Sequence, residues 1–281
     1  QAVGRRWIEA VLPPVVTGAV VAAIGLNLTA VAINMISASP YTKWIALFTV
    51  VAVALVAVYG RGLPQRLPVL IGGLAAYVLY AVTAPSFGAP AVDFAKIGAA
   101  AWFGLPHFVA PVFEIKAITL IVPVAIILVA ENLGHIKGIS VMTGRNFDHL
   151  IGRGFFADGL GTIIADAGRG TGVTTYAAAG IIAVLLGFSP KFGAVIGTIP
   201  VAVLGGLAVV VFGLIAATAG RIWVENKVDF SQPKNLITVA TALILGAGDL
   251  KLPIFGYELG GIGTATFGAI ALYHLLNRRP A

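Results

Sequence analysis

The sequence predicts an all-α fold that crosses a membrane several times, and three observations lead there. Hydrophobic residues make up 59% of the 281 and charged residues only 10%, whereas soluble domains carry roughly 25% charge. That leaves too little charge to cover a water-facing surface, and a water-soluble enzyme is excluded on this ground. The apolar residues fall in repeated runs of about 20, the length a helix needs to cross a hydrocarbon layer of ~30 Å. The 35 glycines and 15 prolines suit membrane helices, which pack closely through small residues and tolerate breaks when neighbours re-satisfy the backbone. A mean hydropathy of +0.99 agrees.

Taken in order, the first apolar run covers residues 12–36, the second 44–60 and the third 67–84. Residues 85–116 mix polar and apolar positions and are too broken for a span. A fourth run, 117–130, ends at Glu131. Residues 155–176 form a weaker fifth, interrupted by Asp158, Asp166 and Arg169. The stretch 178–188 is apolar but too short to cross alone at ~1.5 Å per residue. A long run at 193–220 and two more at 236–248 and 259–277 complete the set.

Loop charge orients these spans. Arg5 and Arg6, Arg61 and Arg66, Lys137, Arg145 and Arg153, Arg221, Lys227 and Lys234, and finally Arg278 and Arg279 all fall between or beyond runs. Placing them all on the cytoplasmic side lets the spans alternate, as the positive-inside bias requires. The opposite loops, 37–43, 85–116, 189–192 and 249–258, carry few positive charges. Only the half-length piece 178–188 strains the alternation, which survives if that piece does not cross, or if two crossings are intended there and much of them is missing. The same bias accounts for the net charge of +7, so nucleic acid is not an expected partner. With no cysteine, disulfides, thiolate metal sites and a cysteine nucleophile are excluded. The chain opens on Gln1 without a signal-peptide pattern and reads as one whose natural beginning lies upstream.

The stretch Val129-Ala130-Glu131-Asn132-Leu133-Gly134-His135 carries the clearest chemistry. Glu131 closes an apolar helix, and His135, four residues on, shares its face. An ionisable group at membrane depth is a functional candidate by default. Burial disfavours the charged form of a carboxyl, which suits a proton carrier, and the group also hydrogen-bonds polar ligands. The competing reading has Glu131 cap its helix at the water boundary. In Gly168-Arg169-Gly170-Thr171-Gly172-Val173-Thr174-Thr175-Tyr176-Ala177, glycines before β-branched residues favour extended backbone. Inside a membrane such backbone belongs where it is buried in protein or lines a cavity; the alternative is an interfacial loop. Asp158 and Asp166 share a face and either line a polar cavity or pair with Arg153 or Arg169. His107, His149 and His274 lie outside apolar cores and are expected to be solvated. Gly260-Gly261-Ile262-Gly263-Thr264-Ala265-Thr266 lacks a dinucleotide-fold context and is expected to pack helices closely. Trp44, Tyr59 and Trp223, near run ends, are expected to anchor at the interface.

Ala130-Glu131-Asn132-Leu133-Gly134-His135 resembles the motif of the nucleobase–ascorbate transporter family, which includes uracil, xanthine and uric acid permeases. Pro13-Pro14-Val15-Val16-Thr17-Gly18, Val173-Thr174-Thr175-Tyr176-Ala177, Ile199-Pro200 with Gly205-Gly206, and Val228-Asp229 with Asn235-Leu236-Ile237 resemble further family segments. The nearest subgroup is the bacterial uracil and pyrimidine permeases. The resemblance implies fourteen membrane segments in two inverted repeats of seven, divided into core and gate domains. On that plan residues 7–116 are gate helices five to seven, 117–188 a partial core domain, and 193–279 gate helices twelve to fourteen. The first four helices are absent, and the family pattern skips a stretch between Ala177 and Ala178.

By resemblance, Glu131 hydrogen-bonds the nucleobase, His135 takes part in proton coupling, and Ala177 contacts the base through its backbone with Tyr176 beside it. The family's second substrate glutamate has no counterpart here. The resemblance thus implies a proton-coupled importer of uracil or a related pyrimidine, with no cofactor, in a bacterial cytoplasmic membrane, dimerising through its gate domain. With half the core lost, transport by this chain is expected to be impaired. A non-transporting, dimerising scaffold is the alternative, and the Glu131/His135 pair argues against an anion carrier of the sulfate type.

Overall fold

A computed structural model describes residues 11–105, 114, 184–254 and 257–277. Among these, the helices are α1 (Pro14–Asn27), α2 (Thr29–Ile36), α3 (Pro40–Tyr59), the short α4 (Leu63–Arg66), α5 (Pro68–Thr83) and α6 (Ala95–Ala99). After the intervening residues come α7 (Pro190–Gly197), α8 (Val201–Glu225), α9 (Pro233–Ala247) and α10 (Gly261–Asn277). A 3-10 turn, Ala84–Phe87, extends α5. An antiparallel hairpin of β1 (Leu252–Ile254) and β2 (Tyr257–Leu259) joins α9 to α10 and pairs Leu252 with Leu259.

The helix starts follow the prolines. α1, α3, α5, α7 and α9 each begin on one, because the first helical turn has no partner for the missing N–H and the ring presets φ. Ser39 adds a capping box to α3, accepting from the Thr42 N–H at 3.2 Å while the Thr42 hydroxyl accepts from the Ser39 N–H at 3.0 Å. Four stretches are long and apolar enough to cross a membrane: Pro14–Ile36, Pro40–Tyr59, Pro68–Phe87 and Val201–Glu225. α9 is apolar but shorter, at 15 residues.

The chain divides into two compact units, one holding residues 11–90 and 200–277 and the other 91–105, 114 and 184–199 among those described. In the larger unit α1 is the central helix, packed against α8, α9 and α10, while α8 also meets α2 and α3, and α3 meets α5. The core is built of small side chains: Val16, Ala19, Ala23, Ala46, Thr49, Ala76, Val203, Ala242, Ala265 and Ala269 are all but sealed. Such residues let backbones approach closely where no water drives association. At Gly206 on α8 a Cβ would stand 2.6 Å from the Thr49 Cβ and 2.8 Å from the Ala46 carbonyl oxygen of α3. At Gly25 on α1 it would stand 2.6 Å from the Ala216 amide nitrogen and 2.7 Å from the Phe212 carbonyl oxygen of α8. Large apolar side chains such as Leu47, Val51, Leu55, Leu70, Leu74 and Leu214 face outward, as a lipid-facing bundle requires.

In the smaller unit, the Gly104 N–H donates to the Phe188 carbonyl at 2.8 Å and the Lys191 N–H to the Ala101 carbonyl at 3.0 Å. Phe103 stacks on Phe188 with centroids 5.9 Å apart. Ser189 caps α7 by accepting from the Phe192 N–H at 3.3 Å.

The run 12–36 holds as one crossing stretch, Pro14–Ile36, with a turn at Leu28 between α1 and α2, where the Thr29 hydroxyl donates to the Gly25 carbonyl at 3.4 Å, a side-chain bond that competes with the helical ladder. Three expectations need revision. The run 193–220 is α7 and α8, separated before Pro200, since proline cannot donate to a ladder and biases its predecessor away from helix. The loop 249–258 contains strand β1 and part of β2. Trp223 is not a free interfacial anchor. Its indole N–H donates to the Val15 carbonyl at 3.3 Å and its ring lies edge-on to Phe230 at 5.3 Å, so it wedges α8 against α1. Trp44 and Tyr59 are exposed.

Candidate functional site

The polar chemistry of the larger unit gathers at helix ends. α1 ends at Asn27, whose Nδ2 donates to the Gly246 carbonyl at 2.8 Å and to Asp249 Oδ1 at 3.2 Å. Asp249 follows α9 with a left-handed φ of 47°, a conformation in which Asp and Asn are favoured among non-glycine residues. The same Oδ1 accepts from the Gly261 N–H at the start of α10, at 3.0 Å. One carboxylate therefore ties three helices together, and its negative charge meets the positive end of α10. The Gly261 N–H, then the Asn27 amide, hold the Asp249 carboxyl below its usual range, with Lys251 adding to the effect against a small desolvation.

A second carboxylate organises the turn between α8 and α9. Asp229 accepts from the Ser231 N–H at 2.9 Å, the Ser231 hydroxyl at 2.6 Å and Gln232 Nε2 at 3.0 Å. Those bonds, the Ser231 hydroxyl foremost, lower its pKa. Its carbonyl accepts from Asn235 Nδ2 at 2.8 Å. Between α3 and α5, the Tyr41 and Thr83 hydroxyls meet at 2.7 Å, Tyr41 stacks on Phe87 at 5.1 Å, and the Tyr80 hydroxyl donates to the Pro90 carbonyl at 3.0 Å.

Because Asp249 is held low in the folded state, its contribution to stability is complete above the ordinary Asp pKa of about 3.9 and is lost as pH falls through the lower folded value. The melting temperature of the purified chain is expected to fall more steeply below about pH 4 than that of Asp249→Asn, which has no charge to lose there. Equal slopes would show that the carboxylate holds nothing.

The residues expected from sequence to bind substrate and protons, Glu131, His135, Tyr176 and Ala177, lie outside the described residues. So do Asp158, Asp166, the stretch 168–177, His107 and His149. His274 is half-buried, edge-on to Tyr273 at 5.6 Å. The 260–266 stretch packs as expected: Gly261, Gly263, Thr264, Ala265 and Thr266 are buried in the first turns of α10. Among the described residues no cluster of three or more His, Asp or Glu side chains could hold a metal ion. The Asn27–Asp249 pair was not singled out from the sequence. Its only signal was an Asn inside the first apolar run and an Asp directly after the Gly-Ala-Gly that closes another.

Apolar spans of crossing length, a small-residue core and an apolar exterior define a multi-pass membrane protein. The family profile Xan_ur_permease, described as a permease family, matches residues 1–179 and 175–255. The chain belongs to this family, that of the nucleobase–ascorbate transporters, and is a permease rather than an enzyme.

The putative pyrimidine permease RutG of Escherichia coli K12 is 55% identical over 296 aligned positions, covering 99% of this chain and 67% of RutG. The uracil permease of Paenibacillus larvae is 36% identical over 97% of this chain and 70% of its own length. The uracil permease of Escherichia coli K12 is 34% identical over 96% of this chain and 68% of its own length. The RutG alignment is longer than the 281-residue chain and so opens gaps in it. The two parts of the family match meet at 175–179, where the sequence pattern is expected to skip.

Proposed function

We propose that this chain is a nucleobase permease whose substrate is uracil or a closely related pyrimidine. The observation that carries this is the 55% identity to a putative pyrimidine permease across 99% of the chain, together with the uracil permeases that follow it. The architecture is the fourteen-segment core-and-gate fold in a bacterial cytoplasmic membrane. Residues 7–116 and 193–279 belong to the gate and 117–188 to the core. The packing of α1, α2, α3, α5, α8, α9 and α10 as one unit supports joining the two gate stretches, while residues 91–105 and 193–199 fall in the smaller unit. Glu131 hydrogen-bonds the base, Ala177 contacts it through its backbone beside Tyr176, and Glu131 with His135 couples uptake to protons. Transport proceeds by alternating access, core against gate, around a midplane site. Protonation drives it by favouring one state over the other. Two copies associate through their gate domains.

Binding of radiolabelled uracil to the purified, detergent-solubilised chain tests this. Saturable binding displaced by unlabelled uracil and not by a purine base is expected; displacement by xanthine at lower concentrations than by uracil would move the assignment to a purine. The broken family match near Ala177 favours a second reading, a membrane scaffold that self-associates without transporting. Uracil uptake by cells lacking their own carriers, beside the dimer fraction of the chain, separates the two. Uptake supports the permease, and self-association without binding or uptake supports the scaffold.

A further inference from the structure

We propose that residues 94–105, with Lys191, form a surface that seats in the phosphate headgroup layer of the bilayer. Trp102, Phe103 and Leu105 are 77%, 75% and 79% exposed, and Phe94 is 56% exposed. Four large apolar side chains thus face outward from a segment of only twelve residues. This segment is built rather than frayed. The two backbone bonds from Gly104 to Phe188 and from Lys191 to Ala101 pin it to the start of α7. The Phe103–Phe188 stack fixes one ring from behind.

The composition selects the headgroup layer over the hydrocarbon interior and over water. Residues 100–105 carry no regular secondary structure, and exposed irregular backbone is not tolerated among acyl chains. Trp is enriched at the level of the headgroups, where its ring reaches apolar chains and its N–H reaches polar groups. The Lys191 ammonium stands 4.3 Å from the centre of the Trp102 ring. A cation held over an aromatic face keeps its charge at the outer edge of an apolar patch, within reach of lipid phosphates. Among the described residues, the acid–base pair nearby, Asp93 with Lys96 at 3.9 Å, is itself exposed and satisfied. Chain connections agree: this segment follows the crossing stretch that ends at Phe87, and α7 ends four residues before the crossing helix α8 begins.

The test uses the full chain in vesicles of phosphatidylethanolamine and phosphatidylglycerol. The absence of native cysteine allows one nitroxide label at a time, at Trp102→Cys, at Leu105→Cys, or at Leu214→Cys as a deep reference on α8. Collision with oxygen, which partitions into lipid, is compared with collision with a water-soluble nickel complex. Labels at 102 and 105 are expected to favour oxygen, at a depth shallower than the label at 214. In a Leu105→Cys background, Lys191→Glu is expected to shift the label toward the nickel complex by loosening the hold on phosphate. A label reached mainly by nickel, or one reached by neither because protein covers it, overturns the proposal. Uracil binding does not enter this readout, so its outcome is independent of the substrate assignment.

Discussion

Replacing Gly206 by leucine is expected to remove most of the folded chain, while the same change at Gly213 on the same helix is tolerated. At Gly206 the first added carbon already meets the Ala46 carbonyl oxygen and the Thr49 Cβ at under 3 Å. The carbonyl is backbone, inside α3, and cannot swing aside as a side-chain tip could. Helices α8 and α3 must therefore separate, opening the contact at which Ala46 and Thr49 are buried. Extra carbons in a packed core cost about 1–3 kcal/mol when side chains can adjust, and this site, walled by backbone, sits at or above the upper end. A Cβ at Gly213 meets nothing within 4 Å. There leucine faces lipid and gains up to about 1 kcal/mol of helix propensity over glycine. Thermal melting of the two variants in detergent, followed by the monodisperse fraction on a sizing column, should separate them by well over 5 °C. That follows from about 2–4 °C per kcal/mol for a chain of this size. Coincident melting curves would mean that α3 and α8 do not touch through Gly206.

The second large effect concerns the proposed substrate contact. Glu131→Gln is expected to weaken uracil binding by roughly 10- to 100-fold, the equivalent of the ~1.5–3 kcal/mol carried by a hydrogen bond to a charged group. Glutamine keeps the length and one acceptor but cannot gain or lose a proton. The residual binding should therefore lose the pH dependence contributed by this carboxyl. Binding isotherms for both proteins at acidic and alkaline pH measure both effects at once. Unchanged affinity in the variant would remove Glu131 from the site and leave the substrate assignment resting on relatives alone.

The crossing stretches were legible because hydropathy over about 20 residues is a strong signal. The runs 44–60 and 67–84 match α3 and α5 within a few residues. What surrounds them was not legible, for a physical reason. In a soluble helix an apolar stripe marks the buried face. Here Leu55 and Val53 are equally apolar, yet Leu55 is exposed and Val53 is sealed. Small size, not hydrophobicity, marks the contact face, and a hydropathy run does not show it. The turn at Leu28 inside the first crossing stretch is not legible in a hydropathy run, which continues through it. Trp223 was misplaced because an aromatic residue near a run end reads as an anchor until its neighbour, Gly18, is known to leave room for it. The proposed site rests on a motif, Glu131 through His135, and the comparisons bear on its family rather than on its geometry.

The small-residue core also has a thermodynamic consequence. Alanine and glycine have no side-chain rotamers to lose, and valine has few, whereas burying flexible side chains costs up to about 2 kcal/mol each in conformational entropy. The central helix α1 buries Val15, Val16, Gly18, Ala19, Val20, Ala22, Ala23 and Gly25. It docks almost without ordering anything beyond its own backbone. The leucines, phenylalanines and tryptophans, which carry the rotamers, are mostly on the outside, where they keep them. Within the bundle, side-chain disorder is moved to the surface that faces a fluid, and the interior is built from residues that have little freedom to surrender.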